Sequence, residues 1–173
     1  MEKLFLSIPD KSHEKAYTEM IERWEKLEDK INPSLLSRYS GKEKRNVPYS
    51  KWLEWCEDDR TTGNMLAENV PCTLYFLIND SGEILGAIEI NHSHTHRGHL
   101  HVGIAPWNRK KGYGNTILKL ALEKCREMKL GKVEICTHKD NIPAIKTIMN
   151  NGGKMIEEFY EDGFCDQRFL IEL

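Results

Sequence analysis

Hydrophobic and polar positions along this chain recur with a period of two in some stretches and of about three and a half in others, and the changes of period mark its elements. Leu4, Leu6 and Ile8 alternate with other residues, so Lys3–Ile8 is predicted to be a strand that stops at Pro9. Ala16, Met20, Ile21, Trp24 and Leu27 then recur at helical spacing, behind a cap at Asp10 or Ser12, until Asn32-Pro33 breaks the pattern. A short helical piece is expected over Leu35–Tyr39 and a polar loop over Ser40–Asn46. Pro48 and Ser50 introduce a further helix that carries Trp52, Leu53, Trp55 and Cys56, and Arg60–Pro71 reads as loop, with a turn at Gly63-Asn64.

The period returns to two at Thr73–Ile78 and Glu83–His92, which Asn79-Asp80-Ser81-Gly82 joins as a hairpin. In the second of these strands Ile84, Gly86, Ile88 and Ile90 share one face, while Leu85, Ala87, Glu89 and Asn91 share the other. A third strand carries Leu100, Val102 and Ile104, and it leads through a Pro-Trp-Asn turn and a basic, glycine-containing loop into an amphipathic helix. Ile117, Leu118, Ala121, Leu122, Cys125 and Met128 form the apolar stripe of that helix. Lys132–Thr137 is a further strand. Asn141 then caps a short helix with Pro143 in its first turn, with Ala144, Ile145, Ile148 and Met149 inward and Gly152-Gly153 at its end. Lys154–Glu161 and Phe164–Leu173 close the chain as a hairpin about Asp162-Gly163. With no repeat and no linker, residues 1–173 read as one domain of mixed α/β class.

Composition narrows the choices only slightly. A chain of 173 residues buries roughly 70% of its unfolded surface, enough to hold a core without disulfide or metal. The formal net charge of −2, with both signs interspersed, argues against nucleic acid as a partner. No apolar run reaches the ~20 residues of a membrane span. The five cysteines (Cys56, Cys72, Cys125, Cys136, Cys165) are scattered and odd in number, as expected of reduced thiols in a cytoplasmic protein.

The distinctive chemistry lies between Arg109 and Asn115. In Arg109-Lys110-Lys111-Gly112-Tyr113-Gly114 the glycines let backbone approach a ligand closely. The first N–H groups of the following helix have no internal partners and carry partial positive charge, so the segment suits a phosphorylated ligand. It is no Walker loop, and Ile117 occupies the third position of a dinucleotide fingerprint.

Strand, R-x-x-G-x-G and helix, in that order, resemble the pyrophosphate-binding motif of the GNAT family of acetyl-CoA-dependent N-acetyltransferases. Asp140-Asn141-Ile142-Pro143-Ala144, with Gly152-Gly153 behind it, is similar to that family's second motif, and the wording GYG…LALEK…DN-P-AIK-I--NGG resembles a bacterial branch of predicted acetyltransferases. The resemblance spans Lys3 to Leu173. It implies a GNAT fold: a central, mostly antiparallel twisted sheet of about six to seven strands flanked by four helices. It further implies acetyl-CoA as co-substrate, with the pyrophosphate held at Arg109, Lys110, Lys111, Gly112, Tyr113, Gly114 and Asn115. Val102, Gly103 and Ile104 would match the splayed strand that pairs with pantetheine, and Asn141 its second contact. The acceptor would be a small-molecule amine or a protein amine.

The tyrosine that many members carry seven residues after that asparagine, as general acid, is Ile148 here. Two functions therefore stand open: acetyl transfer by direct attack in a ternary complex, and a non-catalytic module of the same fold that binds or senses acyl-CoA. For the base, His99 and Glu89 are the candidates, with His92 and His101 behind them. His92, His94 and His96 would share one side of an extended strand, as metal ligands do, but no cysteine or carboxylate stands beside them in sequence, and no metal is expected. The edge left by the closing hairpin is a place where a second copy could pair.

Overall fold

The protein is described here by a computed structural model, in which residues 2–37, 47–63 and 69–173 are described. The alternating stretches pair in two sheets. β1 (Leu4–Ser7), β2 (Cys72–Asn79), β3 (Ile84–Asn91) and β4 (Leu100–Ile104) form an antiparallel sheet in that order. β5 (Lys132–His138), β6 (Lys154–Glu161) and β7 (Phe164–Glu172) form a second, in the order β5-β7-β6. The β2–β3 hairpin closes where Asn79 Oδ1 accepts from the N–H groups of Ser81 at 3.2 Å and Glu83 at 2.9 Å. That asparagine makes the turn.

Helices cover both faces. α1 (Glu14–Glu25), the single turn α2 (Ser34–Ser37) and α3 (Tyr49–Thr62) pack on one face of the first sheet. Their core is aromatic: Tyr17 stacks on Trp52 with ring centroids 4.4 Å apart, and Phe76 of β2 lies 5.9 Å from Tyr17. α4 (Tyr113–Glu127) and α5 (Ile142–Asn150) cover the opposite side, where Ile88, Ile90, Ile117, Leu118, Val133, Ile135 and Phe169 pack together. Trp52 is wholly core, and its indole N–H donates to the Leu35 carbonyl at 3.1 Å.

Several boundaries differ from the sequence expectation. α3 continues through Arg60 to Thr62 and is closed by Gly63 at φ 71°, whose N–H bonds the Asp59 carbonyl at 3.0 Å; the helix takes the first residues expected as loop. Asn64 and the loop Ser40–Asn46 lie outside the described residues, as does the end of the piece expected at Leu35–Tyr39. Met149 is not inward: it is 59% exposed while Ile148 is 4% exposed, because one step along a helix turns a side chain by about 100°. Leu27, expected on the stripe of α1, falls beyond the helix and is exposed.

Candidate active site

The two sheets meet where β4 and β5 begin and separate from there. The His99 N–H donates to the Glu134 carbonyl at 2.7 Å, and the Glu134 N–H donates back to His99 Nδ1 at 3.0 Å. Beyond this point β4 has no ladder with β5. Gly98 bridges Ile135 in the antiparallel sense just before β4 begins, and past that bridge the two strands part.

The register shows which groups face the gap. Ala105 N–H bonds the Leu85 carbonyl at 3.1 Å and Asn91 N–H bonds the His99 carbonyl at 2.8 Å. Hydrogen-bonded pairs alternate along an antiparallel ladder, so Gly103 and His101 turn their backbone toward β3, opposite Ala87 and Glu89. Val102 and Ile104 turn theirs into the gap. The Ile104 carbonyl accepts from Arg109 Nε at 3.1 Å, while the Ile104 N–H and both groups of Val102 have no partner among the described residues. Gly103 has a different duty from its neighbours: a Cβ there would lie 1.8 Å from the Asn32 carbonyl oxygen, so only glycine admits the Asn32-Pro33 turn.

At the mouth of the gap the backbone from Lys110 to Gly112 winds into the start of α4, with positive φ at Lys110 (62°) and Gly112 (87°). Among the described residues, no hydrogen bond uses the N–H of Lys110, Lys111, Gly112, Tyr113 or Gly114. Open space surrounds the position where a Gly112 Cβ would stand. Lys110 and Lys111 are exposed, and Lys111 Nζ donates to Asn108 Oδ1 at 3.1 Å. The Tyr113 hydroxyl donates to Glu2 at 2.8 Å. Asn115 Oδ1 accepts from Asn151 at 3.4 Å and ties the start of α4 to the end of α5. Asn141 caps the other end of α5 through Ala144 N–H at 3.3 Å, about 13 Å away along a helix of this length. Arg109 is the exception in the loop. Its guanidinium grips both oxygens of Glu28, with Nη2–Oε2 at 2.8 Å, rather than standing free for an anion.

The two residues expected to serve as a base are otherwise engaged. Glu89 is 2% exposed and accepts from the Leu35 N–H of α2. His99 spends its Nδ1 lone pair on the Glu134 N–H, so its ring proton sits on Nε2 and no lone pair is left to take another. Burial, and then the neighbouring His94, push its pKa below the usual histidine value, although Glu134 opposes the shift. Both side chains hold backbone N–H groups of neighbouring elements. Ile148 lies in the core against Gly153, and no hydroxyl stands in its place. The histidine run disperses: His92 pairs with Thr73 at 2.7 Å, His94 with Glu134 at 3.0 Å and His96 with Glu161 at 2.9 Å. Among the described residues, no three metal-ligating side chains converge.

One pair that no sequence motif marks lies beside the gap. His138, the last residue of β5, contacts Asp166 of β7 through Nδ1. The only sequence hint was a histidine at a strand end, close before Asn141. Its partner, 28 residues further on, is visible only once β5 and β7 are in register.

Residues 21–152 match the sequence profile of the Acetyltransferase (GNAT) family. No curated protein sequence matches the chain. Among solved structures, its fold is similar to a spermidine N-acetyltransferase from Vibrio cholerae in complex with CoA and spermine (15% identity, TM-score 0.63, covering 98% of this chain and 95% of that one). It is also similar to yncA from Salmonella typhimurium, solved with its cofactor acetyl-CoA (15% identity, TM-score 0.63, 98% and 94% covered). A GnaT-family structure from Bordetella pertussis is a third (16% identity, TM-score 0.59, 96% and 93% covered). At these identities the likeness is one of fold.

Proposed function

Because the chain belongs to the GNAT acetyltransferase family, we propose that it transfers an acetyl group from acetyl-CoA to a primary amine by direct attack, with both substrates bound together. The observation that carries this is the unpaired edge of β4, Val102 with the Ile104 N–H, opening beside a loop in which the N–H groups from Lys110 to Gly114 have no partner among the described residues. The residues fit the coenzyme. Successive free N–H groups at a helix start, flanked by Lys110 and Lys111, suit a pyrophosphate. Extended backbone in the gap suits the amide-bearing pantetheine arm, and Asn141, whose oxygen caps α5, keeps its amide N–H groups for the same arm. Arg109 serves the site indirectly, fixing Ile104 through its carbonyl and tethering the loop to Glu28.

When bound, acetyl-CoA supplies an activated acyl group on a leaving thiol. An N–H of β4 aimed at the thioester oxygen would stabilise the charge that develops there. No tyrosine is required at Ile148 for the exit, since a thiol of pKa ~8.5 leaves acceptably as thiolate. Five free cysteines support a reducing compartment such as the cytoplasm. The outer edge of β6, with exposed Met155, Ile156 and Tyr160, supports pairing with a second copy.

The second reading, a module that binds acyl-CoA without turnover, rests on Ile148. One experiment separates them. Wild type titrated calorimetrically with acetyl-CoA should bind with micromolar affinity. Gly112→Asp, which puts a carboxylate on a positive-φ residue at the helix start, should weaken binding by about a hundredfold or more. Free CoA should then appear when wild type and acetyl-CoA meet an amine panel that includes spermidine and lysine peptides. Binding without release on any amine favours the module; no binding by folded wild type sinks both.

A further inference from the structure

Side chains along β5 alternate between the two faces of the second sheet. Val133 and Ile135 enter the core beneath α4 and α5, so Glu134, Cys136 and His138 face the other way. On that face, which none of the described helices covers, β7 contributes Asp166 and Arg168, β6 contributes Glu161, and the loop before β4 contributes His94, His96 and Arg97. Most of these charges neutralise one another. Arg168 Nη1 holds Glu134 at 3.0 Å, and its Nε holds Glu157 at 3.0 Å.

His138 differs from the rest. Asp166, 1% exposed, contacts His138 Nδ1 through Oδ1 and accepts from Arg97 Nη1 through Oδ2 at 2.6 Å. Arg97 is held in turn by Glu161 at 2.5 Å. Burial alone would raise the Asp166 carboxyl, but the bonds from His138 and Arg97 outweigh it and hold the group below the usual carboxylate range. Asp166 therefore carries no proton of its own, so the hydrogen between the two residues belongs to Nδ1. The neutral ring then presents its lone pair on Nε2, which has no partner among the described residues. The side chain is 47% exposed, with the Phe164 ring 5.1 Å away on one side. This is the tautomer opposite to that of His99, and the one a general base needs. His94 and His96 also meet carboxylates, but both are more exposed, and Glu161 is itself partly open. Of these three histidines, His138 has the buried partner, and it sits at the carboxyl end of β5, close before Asn141.

We propose that His138 is the catalytic base, accepting at Nε2 the proton of the acceptor ammonium, with Asp166 as its positioning residue and Arg97 keeping Asp166 in place. The proposal rests on the acetyl-transfer reading above. In the balanced step, the ammonium proton passes to Nε2 and later to solvent. The freed nitrogen lone pair forms the bond to the acyl carbon as the carbon–sulfur bond breaks. The thiolate leaves with that electron pair and takes up the second proton shed by nitrogen. The groups facing His138 are Asp166 and Phe164 from β7, Arg97 from the loop, Glu161 from β6 behind Arg97, and Cys136 on its own strand.

The test compares wild type, His138→Gln and Asp166→Asn. It measures kcat/KM against pH with the best amine of the panel, acetyl-CoA affinity by calorimetry, and the His138 ring nitrogens by NMR on 15N-labelled protein. His138→Gln should lower kcat/KM at neutral pH by about a hundredfold or more and leave acetyl-CoA affinity within twofold. The wild-type spectrum should show an Nδ1-protonated neutral ring. Asp166→Asn, whose amide can donate to Nδ1, should shift the ring toward the Nε2-protonated form and lower kcat more than it changes KM. If Asp166→Asn does not fold, the wild-type spectrum and His138→Gln still decide. Wild-type turnover with His138→Gln within threefold of it, or an Nε2-protonated wild-type ring, overturns this proposal and leaves the acetyl-transfer reading standing. Wild type that turns over no amine overturns both.

Discussion

Glu89 stands where a one-turn helix would otherwise leave its polar groups unanswered. Leu35 and Leu36 of α2 are fully buried, and buried backbone must find partners. The Leu35 N–H donates to Glu89, the Leu35 carbonyl accepts from Trp52 Nε1, and the Leu36 carbonyl accepts from the Tyr17 hydroxyl at 2.9 Å. Glu89→Ala strands that N–H and should cost about 1–3 kcal/mol, read as a melting point lowered by about 2–4 °C per kcal/mol. Glu89→Gln keeps an oxygen in place and should lose less. Equal losses in calorimetric melts would show that the N–H bond is not what the carboxylate contributes. The alternation of β3 made the face of Glu89 legible in the sequence. Its duty was not, because the amide it serves lies 54 residues earlier and a strand carboxylate has the same local pattern whether it faces water or a helix end.

Among the elements, the junction of β4 and β5 does most to shape the site, and a histidine ring closes it. His99 must be neutral to accept the Glu134 N–H, and its folded pKa lies below the ordinary ~6.5. The unfolded chain therefore binds a proton that the folded chain refuses as pH falls from about 6.5 toward the folded value. The contribution is whole above that window and lost below it. Melting curves of wild type and His99→Gln should diverge least at acid pH, with wild type losing up to about 1.4 kcal/mol per pH unit relative to the variant; parallel curves between pH 7.5 and 5 would refute this. The loop at 109–114 and the cap at Asn141 were legible because a strand, a glycine turn and a helix start are local patterns. The parting of β4 from β5 was not. Each strand has ordinary alternation, and only the register, with Val102 and Ile104 turned from β3, reveals an edge left open. The partner of Arg109 was hidden for the same reason: Glu28 lies beyond the reach of any motif.

At the scale of the molecule, an aromatic core under α1–α3 and an aliphatic core under α4 and α5 each grip one side of the sheets, so neither depends on the gap being filled. The open edge of β4 thus persists in a well-packed protein, sheltered where no foreign strand can easily pair with it. The amides of Val102 and Ile104 should therefore trade hydrogen for deuterium far faster than those of Gly103 and His101, although all four lie in one strand of the central sheet. Saturating acetyl-CoA should slow the first pair and leave the second unchanged, as residue-resolved exchange would record. If all four are equally protected without ligand, the edge is not open. Otherwise the strand works as a gauge. It reports how much of a population has its coenzyme aboard, with no acceptor identified and no label attached.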